Sequence, residues 1–266
     1  MNKFQVQILS TLIFFLIFVH LQNLDFIKAI GTFKAGYWFT YTLFFYFIFY
    51  VFSNIISSFF SRKFEDCIII SFALLILIIF YITLVDTDEK HAQIYGIIGI
   101  PQWRYYVFFV FGTLIKKYYD SFIVITSNSN KMATIIILFS LLYLFGGNIS
   151  LPHFGTIRIF LLGFLGITIL LTTFRLSDEY FDTNHFIAKS MKYIGRHTLD
   201  IYLLHFFFLP SNLTMFGTYF QSTSNPVIEL FVSLTIAILV ITVCLAVSKV
   251  LRTSPILAHY LFGQKI

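Results

Sequence analysis

The chain alternates long apolar runs with short polar connections, and the runs have the length that a lipid bilayer requires. A membrane-spanning helix needs about 20 mostly apolar residues, because the hydrocarbon core is roughly 30 Å thick and each helical residue rises about 1.5 Å. Eight segments match this pattern, at residues 6–21, 37–60, 67–85, 104–119, 132–145, 157–174, 198–216 and 227–250. The pattern therefore predicts an all-α fold, a polytopic transmembrane helical bundle of about eight spans.

The first apolar segment admits a second interpretation as a signal peptide, with Lys3 as its positive start. A signal peptidase needs paired small residues at its cleavage site, and Ile27, Lys28 and Ala29 do not supply them. We therefore expect the segment to remain in the protein and to count as a span.

The composition excludes a soluble globular domain. Hydrophobic residues make up 58% of the 266 residues and charged residues only 11%, and the mean hydropathy is +0.86. Ordinary soluble domains carry roughly 25% charged residues, because their surface must be hydrated. No internal repeat or low-complexity linker divides the chain, so we expect residues 1–266 to form a single integral membrane domain.

The formal net charge of +6 comes from bases that lie in short clusters between the apolar runs. Such clusters are typical of topology signals, and the pattern predicts no nucleic-acid partner. With eight spans, thirteen of the 18 basic residues fall on the same side as the two termini. Because positive charge is retained in the cytoplasm, we expect both termini to be cytoplasmic and the chain to lie in the cell (inner or plasma) membrane.

Sequence signals for metal-dependent or nucleotide-hydrolysing chemistry are absent. Cys67 and Cys244 are the only cysteines, too few and too far apart for a disulfide framework or a zinc site. The chain contains no Gly-rich phosphate loop, no His-Glu-x-x-His and no nucleophile elbow. We therefore expect no metal, and hydrolase, ATPase and metalloenzyme functions have no support.

The richest polar patch at membrane depth opens the seventh span, where residues 195–205 read GRHTLDIYLLH. At 100° per residue, Thr198, Tyr202 and His205 share one stripe of the helix. A titratable group at this depth usually faces a polar interior, so His205 is a candidate proton acceptor or hydrogen-bond donor beside Tyr202. The alternative is a histidine that only bridges neighbouring helices by hydrogen bonds.

The residues on either side of this patch predict an ion pair, a helix kink and a further helix. Arg196 and Asp200 are four residues apart and can pair on a neighbouring face of the helix. Pro210 removes a backbone donor, which predicts a kink above His205. The preceding connection, residues 176–197, can include a short interfacial helix.

Arg104 opens the fourth span between Trp103 and Tyr105. A guanidinium there can bind a phosphate, a carboxylate or a sugar-linked carrier. The alternative is an interfacial anchor whose charged end reaches the headgroups while its stem stays in apolar surroundings.

The polar patch resembles the late signature of the membrane acyltransferase 3 family. Residues 193–205 read YIGRHTLDIYLLH, similar to the family's Gly-Lys or Gly-Arg turn, small polar residue and Tyr-Leu-x-His. Weaker similarities occur in the expected order at residues 36–39, 108–114 and 254–263. The resemblance covers about residues 36 to 266, nearly the whole chain.

The resemblance implies an acyltransferase that transfers groups other than amino-acyl groups. Family members move an acyl group, usually acetyl, from acetyl-CoA or another acyl-CoA donor to a hydroxyl of a cell-envelope polysaccharide or a lipid-linked sugar. The resemblance implies that the protein O-acetylates a polysaccharide and that membrane lipids surround it. It implies no metal. His205 and Tyr202 would then be the catalytic residues.

Five other residues have expected roles in this interpretation. The phosphates of acyl-CoA would meet a basic inner rim formed by Lys189, Lys192 and Arg196. The acceptor sugar would meet Arg104 and Trp38 on the outer side. The rival interpretation from another class is an accessory membrane protein of polysaccharide export, transport or polymerisation.

The chain departs from the family pattern at its N-terminus. The family's most diagnostic motif is a basic residue followed after ten residues by histidine, and a Phe-Phe-x-x-Ser-Gly segment follows it. If His20 were that histidine, Leu9 would occupy the basic position, and no Phe-Phe-x-x-Ser-Gly occurs. We therefore expect a member that lacks its N-terminal pair of helices: a truncated gene, an inactive copy, or a subunit that a partner chain completes.

Overall fold

The computed structural model describes residues 8–31, 36–85, 89–149, 154–182, 185–210, 217–220 and 225–262. These residues form helices joined by short turns, and no strand occurs within the described ranges. The prediction of an all-α fold is therefore confirmed.

The helices are numbered here in chain order. The first half of the chain contains α1 Ser10–Leu21, α2 Phe26–Gly31, α3 Trp38–Ser58, α4 Glu65–Val85, α5 Glu89–Ile98, α6 Ile100–Trp103, α7 Tyr106–Lys117 and α8 Tyr119–Ser127. The second half contains α9 Ser129–Leu144, α10 Phe154–Leu176, α11 Asp178–Asp182, α12 Phe186–Arg196, α13 Thr198–Phe208, α14 Pro226–Leu251 and α15 Pro255–Phe262. Short 3-10 turns occur at Arg62–Phe64 and Gly146–Asn148.

The helices divide between two compact units. The first unit comprises Met1–Ile48, Thr83–Pro101 and Tyr193–Ile266, and the second comprises Phe49–Ile82 and Gln102–Lys192. The first unit therefore combines the two ends of the chain with a short central piece, whereas the second is built mostly from the middle of the chain.

Four described helices are long and apolar enough to cross a membrane: Trp38–Ser58, Arg62–Thr83, Phe154–Leu176 and Val227–Leu251. They coincide with the predicted second, third, sixth and eighth spans. The pair Tyr119–Ser127 and Ser129–Leu144, bent by 86°, would count as a fifth if it crosses as one broken span. The protein is accordingly a multi-pass membrane protein.

The remaining predicted spans appear as shorter helices. The helices α1, α7 and α13 contain 12, 12 and 11 residues. A helix of 12 residues is about 18 Å long, well short of a bilayer core of roughly 30 Å. The predicted fifth span lies in the second arm of the bent pair. The count of eight spans stays a prediction.

The effect of Pro210 differs from the predicted kink. The helix α13 ends at Phe208, and the next residue, Leu209, has extended backbone with φ −65° and ψ 131°. A proline disfavours the helical conformation in the residue before it, because its ring clashes with that residue's backbone. The prediction of a kink above His205 was therefore wrong, since the proline lies beyond the end of the helix.

The core of the first unit surrounds a buried tyrosine. Tyr37 is 1% exposed, and its hydroxyl donates to the carbonyl oxygen of Leu203 at 2.8 Å. Its ring packs against Phe206, with centroids 5.2 Å apart. The preceding Gly36 has φ +94°, and a Cβ atom added there would lie 2.0 Å from the Phe206 ring. Only glycine allows the chain to approach α13 this closely.

A buried ionic cluster joins α13 to α14 within the same unit. Asp200, 2% exposed, accepts from Nη2 of Arg252 at 2.9 and 2.8 Å and from Nε at 3.1 Å. The Ser248 hydroxyl donates to Asp200 Oδ2 at 2.6 Å, and His197 Nδ1 lies 2.9 Å from the same oxygen. The predicted pairing of Asp200 with Arg196 was wrong, because Arg252 offers two parallel hydrogen bonds from the facing helix.

Hydrogen bonds and an ion pair at helix ends also stabilise the second unit. Arg158 of α10 donates from Nε to the carbonyl oxygen of Leu142 at 2.8 Å and from Nη2 to that of Tyr143 at 2.9 Å. These carbonyl groups belong to the last turn of α9, which has no helical partners for them. Lys117 of α7 binds Asp66 of α4 at 2.8 Å. Each contact fixes one helix end against a neighbour.

We expect Asp200→Asn to lower the free energy of unfolding by about 3 kcal/mol, because it leaves the Arg252 guanidinium without its counter-charge. Thermal unfolding of the detergent-solubilised protein measures the change. Glu229→Gln, at an exposed position in the first turn of α14, is the matched control and should leave the transition unchanged. Equal midpoints for the two variants would contradict a stabilising role for the cluster.

We expect Gly36→Ala to destabilise the protein by about 1–3 kcal/mol, because alanine at positive φ is strained and its Cβ would displace the Phe206 ring. The control is Gly112→Ala within α7, where an added Cβ meets nothing within 4 Å. Alanine there should stabilise the helix by up to about 1 kcal/mol. A Gly36→Ala protein as stable as the Gly112→Ala protein would show that the close approach is not required.

Candidate functional site

The candidate site is an open groove between α13 and α14. Its volume is about 610 Å³, within the range of roughly 300–1,000 Å³ that is typical of small-molecule pockets. Among the described residues, four polar side chains line it: Thr198, Tyr202 and His205 from α13 and Ser233 from α14. The other walls are mainly aliphatic, with Ile236, Val240 and Ile241 among them. The structure thus brings the predicted polar stripe to a common groove.

A backbone carbonyl of α13 orients the ring of His205 through one nitrogen, and the other nitrogen has no partner among the described residues. Nδ1 lies 2.8 Å from the carbonyl oxygen of Tyr202, so it carries the hydrogen and donates it. In the neutral ring Nε2 then holds a lone pair, and it makes no hydrogen bond to any residue that the structure describes. A backbone acceptor therefore orients a half-buried imidazole whose second nitrogen can accept a proton.

The hydroxyl of Tyr202 serves a different segment of the chain. It donates to the carbonyl oxygen of Gly36 at 3.2 Å and accepts from the backbone N–H of Phe39 at 3.1 Å. The ring lies against the Phe39 ring, with centroids 5.8 Å apart. Tyr202 therefore holds the beginning of α3 while its ring lines the groove. Its predicted catalytic role stays a prediction.

Two hydroxyl side chains complete the polar lining. Thr198 Oγ1 donates to the carbonyl oxygen of Gly195 at 2.8 Å, which closes the end of α12. Ser233 lies on the opposite wall, and sequence analysis did not select it. The sequence shows Ser233 only as a polar residue within the apolar run 227–250. The same run contains threonines that bond to the backbone of their own helix, so a hydroxyl residue in this run does not by itself indicate a site. Spacing along one helix does not reveal which residue faces a groove.

The two predicted acceptor residues lie in different units. Trp38 begins α3 and is half-buried beside Phe39, with ring centroids 6.0 Å apart. Arg104 belongs to the second unit, where Nη2 donates to the Tyr105 hydroxyl at 2.7 Å. Its guanidinium carbon lies 4.7 Å from the Tyr105 ring centroid and 5.7 Å from that of Phe80. These contacts are cation–π interactions that hold the Arg104 side chain. Binding of the acceptor sugar by Trp38 and Arg104 stays a prediction.

The predicted basic rim is a helical surface. Lys189, Lys192 and Arg196 are exposed on α12, and their spacings of three and four residues place them on one stripe. A single residue, His197, separates the end of α12 from the start of α13. The basic stripe therefore leads directly into the helix that carries His205.

A second cavity in the first unit offers less chemistry. It has a volume of about 240 Å³ and a largely apolar lining that includes Thr11, Tyr37 and Tyr41. The three hydroxyls donate to Thr40 Oγ1 and to the carbonyl oxygens of Leu203 and Ile97, respectively. No histidine is among the described residues that line this cavity. Within the described ranges, moreover, no cluster of three His, Cys, Asp or Glu residues has the geometry to hold a metal ion.

The chain also matches a known protein family. Residues 6–249 match the model of the acyltransferase 3 domain, whose description is "Acyltransferase domain". No curated protein and no solved structure matches the chain. The family match begins well before Gly36, where the sequence motifs begin, and it includes α1 and α13. Because it covers far more than half of the chain, the protein belongs to the acyltransferase 3 family of membrane acyltransferases.

Proposed function

We propose that the protein transfers an acyl group, acetyl in the simplest case, from acyl-CoA to a hydroxyl of a cell-envelope polysaccharide or a lipid-linked sugar. The observation that carries the proposal is His205 in its groove, with Nδ1 held by a backbone carbonyl and Nε2 without a hydrogen bond to any residue that the structure describes. The family match supports acyl transfer, and the groove supplies a place for it.

The proposed reaction uses His205 as the general base. Nε2 takes the proton from the acceptor hydroxyl while the hydroxyl oxygen attacks the carbonyl carbon of the thioester. The carbon–sulfur bond then breaks, CoA leaves as a thiolate, and the imidazolium returns the proton to the sulfur. The products are the ester of the acceptor and free CoA, and His205 ends in its starting state.

The negative charge that develops on the carbonyl oxygen needs a hydrogen-bond donor. Ser233 lines the groove on the wall opposite His205, and its hydroxyl makes no hydrogen bond to the described residues. A hydroxyl in this position has its proton available. We assign Ser233 as the candidate donor, and Tyr202 as a residue that positions α13 through its bonds to Gly36 and Phe39.

The donor approaches, in this proposal, along the basic stripe of α12. The stripe carries three cations, and Arg and Lys side chains bind phosphate groups through charge-assisted hydrogen bonds. Acyl-CoA is made in the cytoplasm, so the proposal places α12 and both chain termini on the cytoplasmic side of the inner membrane. Trp38, in the same unit as His205, would meet the acceptor sugar.

We expect His205→Gln to reduce ester formation by about 100-fold or more, because glutamine cannot take up the proton. The measurement is the ester content of the envelope glycan in cells that carry only the variant. His185→Gln is the matched control, since His185 is exposed and stacks on Tyr180. Wild-type ester content with His205→Gln, or a defect in glycan export with unchanged ester content, would contradict the proposal.

We expect the double variant Lys192→Gln and Arg196→Gln to raise the KM for acyl-CoA by about tenfold, because two solvent-exposed phosphate contacts of roughly 0.7 kcal/mol each together contribute about 1.4 kcal/mol. The turnover number at saturating donor should change little, since neither side chain touches the reacting carbonyl in the proposed geometry. Lys131→Gln, exposed at the start of α9, is the control. An unchanged KM for acyl-CoA would remove the stripe from donor binding.

A further inference from the structure

The helix α12 has three chemically distinct sides. At 100° per residue, Ile187, Met191 and Ile194 lie within about 60° of one another and form an apolar stripe. Lys189, Lys192 and Arg196, the basic stripe, lie on the opposite side of the helix. The sequence of α12 contains no acidic residue.

The third side of α12 contacts the protein. Ala188 is fully buried, with 0% of its surface exposed, and it points roughly 90° away from the apolar stripe and about 75° away from the basic stripe. The apolar stripe is not covered in the same way, because Ile187 is 58% exposed and Met191 is 48% exposed. The protein thus supports α12 from one flank and leaves both stripes accessible.

This arrangement is that of a helix lying at the surface of a membrane. Such a helix has lipid beneath it, water above it and the rest of the protein beside it. Its apolar and polar sides should therefore lie opposite each other, with the buried side at about 90° to both, as in α12. Its place in the chain agrees, because α12 follows the membrane-spanning helix Phe154–Leu176 and leads into the apolar helix Thr198–Phe208. A continuous apolar stripe between two membrane helices is suited to hydrocarbon.

The charge of α12 indicates which lipids it meets. Lys189 and Arg196 are exposed, and their long flexible stems let the charged ends bend from the upper side of an interfacial helix to anionic lipid phosphates. We propose that α12 lies in the plane of a membrane surface that contains anionic lipids, with Ile187, Met191 and Ile194 below the headgroups and the basic stripe at headgroup level. This inference does not depend on the proposed acyl transfer, in which the same basic stripe would bind the phosphates of acyl-CoA; the experiment below contains no acyl-CoA and therefore tests the lipid contact alone.

A fluorescent label on single cysteines tests the orientation. The full chain carries Cys67→Ser, while Cys244, 0% exposed, stays in place. An environment-sensitive label is attached at Met191→Cys or at Lys189→Cys, and the protein is reconstituted into vesicles of phosphatidylcholine and phosphatidylglycerol in equal parts. The quenchers are doxyl-labelled lipid and aqueous iodide.

We expect the Met191 label to emit at shorter wavelength than the Lys189 label, to be quenched by doxyl lipid, and to lose its quenching by iodide. The reference for lipid is Ile238→Cys, exposed in the middle of α14, and the reference for water is Lys131→Cys. A Met191 label that iodide quenches as strongly as the Lys131 label would overturn the proposal. A Met191 label shielded from both quenchers would also overturn it, because protein would then cover the stripe.

The lipid composition of the vesicles tests whether α12 prefers a membrane surface that contains anionic lipids. Here the aqueous quencher is uncharged acrylamide, because the surface charge of the vesicles would itself change the local concentration of iodide. The Met191 label should become more accessible to acrylamide in vesicles of phosphatidylcholine alone and, in the anionic vesicles, with Lys189→Gln and Arg196→Gln. Equal shielding in every vesicle would overturn the preference for anionic lipids. Ile187→Cys repeats the measurement one turn earlier in case the Met191 variant does not fold. Because the assay contains no donor or acceptor, its failure is distinguishable from failure of the acyltransferase proposal.

Discussion

A carboxylate inside a membrane protein is tolerated only when its charge is neutralised and its lone pairs accept hydrogen bonds, and Asp200 meets both conditions. Ser248 approaches it from the last turn of α14, Arg252 from the residue after α14, and His197 from the residue before α13. Arg252 in turn lies over the Phe262 ring, with its guanidinium carbon 4.5 Å from the centroid, so α15 is tied to the same point. The relative position of α13 and α14 follows from this cluster. His205 lies five residues further along α13, about 7.5 Å up the helix, where the two helices form the walls of the groove.

The bilayer explains why part of the fold was predictable. A helix that crosses hydrocarbon must be long and apolar whatever it packs against, so α3, α4, α10 and α14 are visible in the hydropathy pattern alone. The shorter helices are different, because their ends depend on local signals such as Pro210 after α13 and the Asn128 side chain that caps α9. An apolar run continues across such a signal. Residues 198–216 therefore looked like one span, although α13 ends at Phe208.

The candidate site was only partly predictable, for a related reason. The stripe of Thr198, Tyr202 and His205 follows from helical periodicity, and all three residues line the groove. Periodicity describes one helix, however, and does not identify a partner on another. It predicted an ion pair between Arg196 and Asp200, whereas the carboxylate of Asp200 binds Arg252, 52 residues away. Ser233 was missed for the same reason, and the hydroxyl of Tyr202 bonds to residues 36 and 39, which no local pattern connects to it.

The aliphatic walls of the groove bear on a competing reaction. A thioester placed beside a general base is attacked by water as readily as by a sugar hydroxyl unless water is kept away. Ile236, Val240 and Ile241 of α14 offer water no hydrogen-bonding partner, so this part of the wall does not hold a solvent molecule in place. A sugar hydroxyl, by contrast, arrives attached to a larger molecule with contacts of its own. In the proposed reaction the apolar lining thus selects between acceptors, and it favours ester formation over wasteful hydrolysis of the donor.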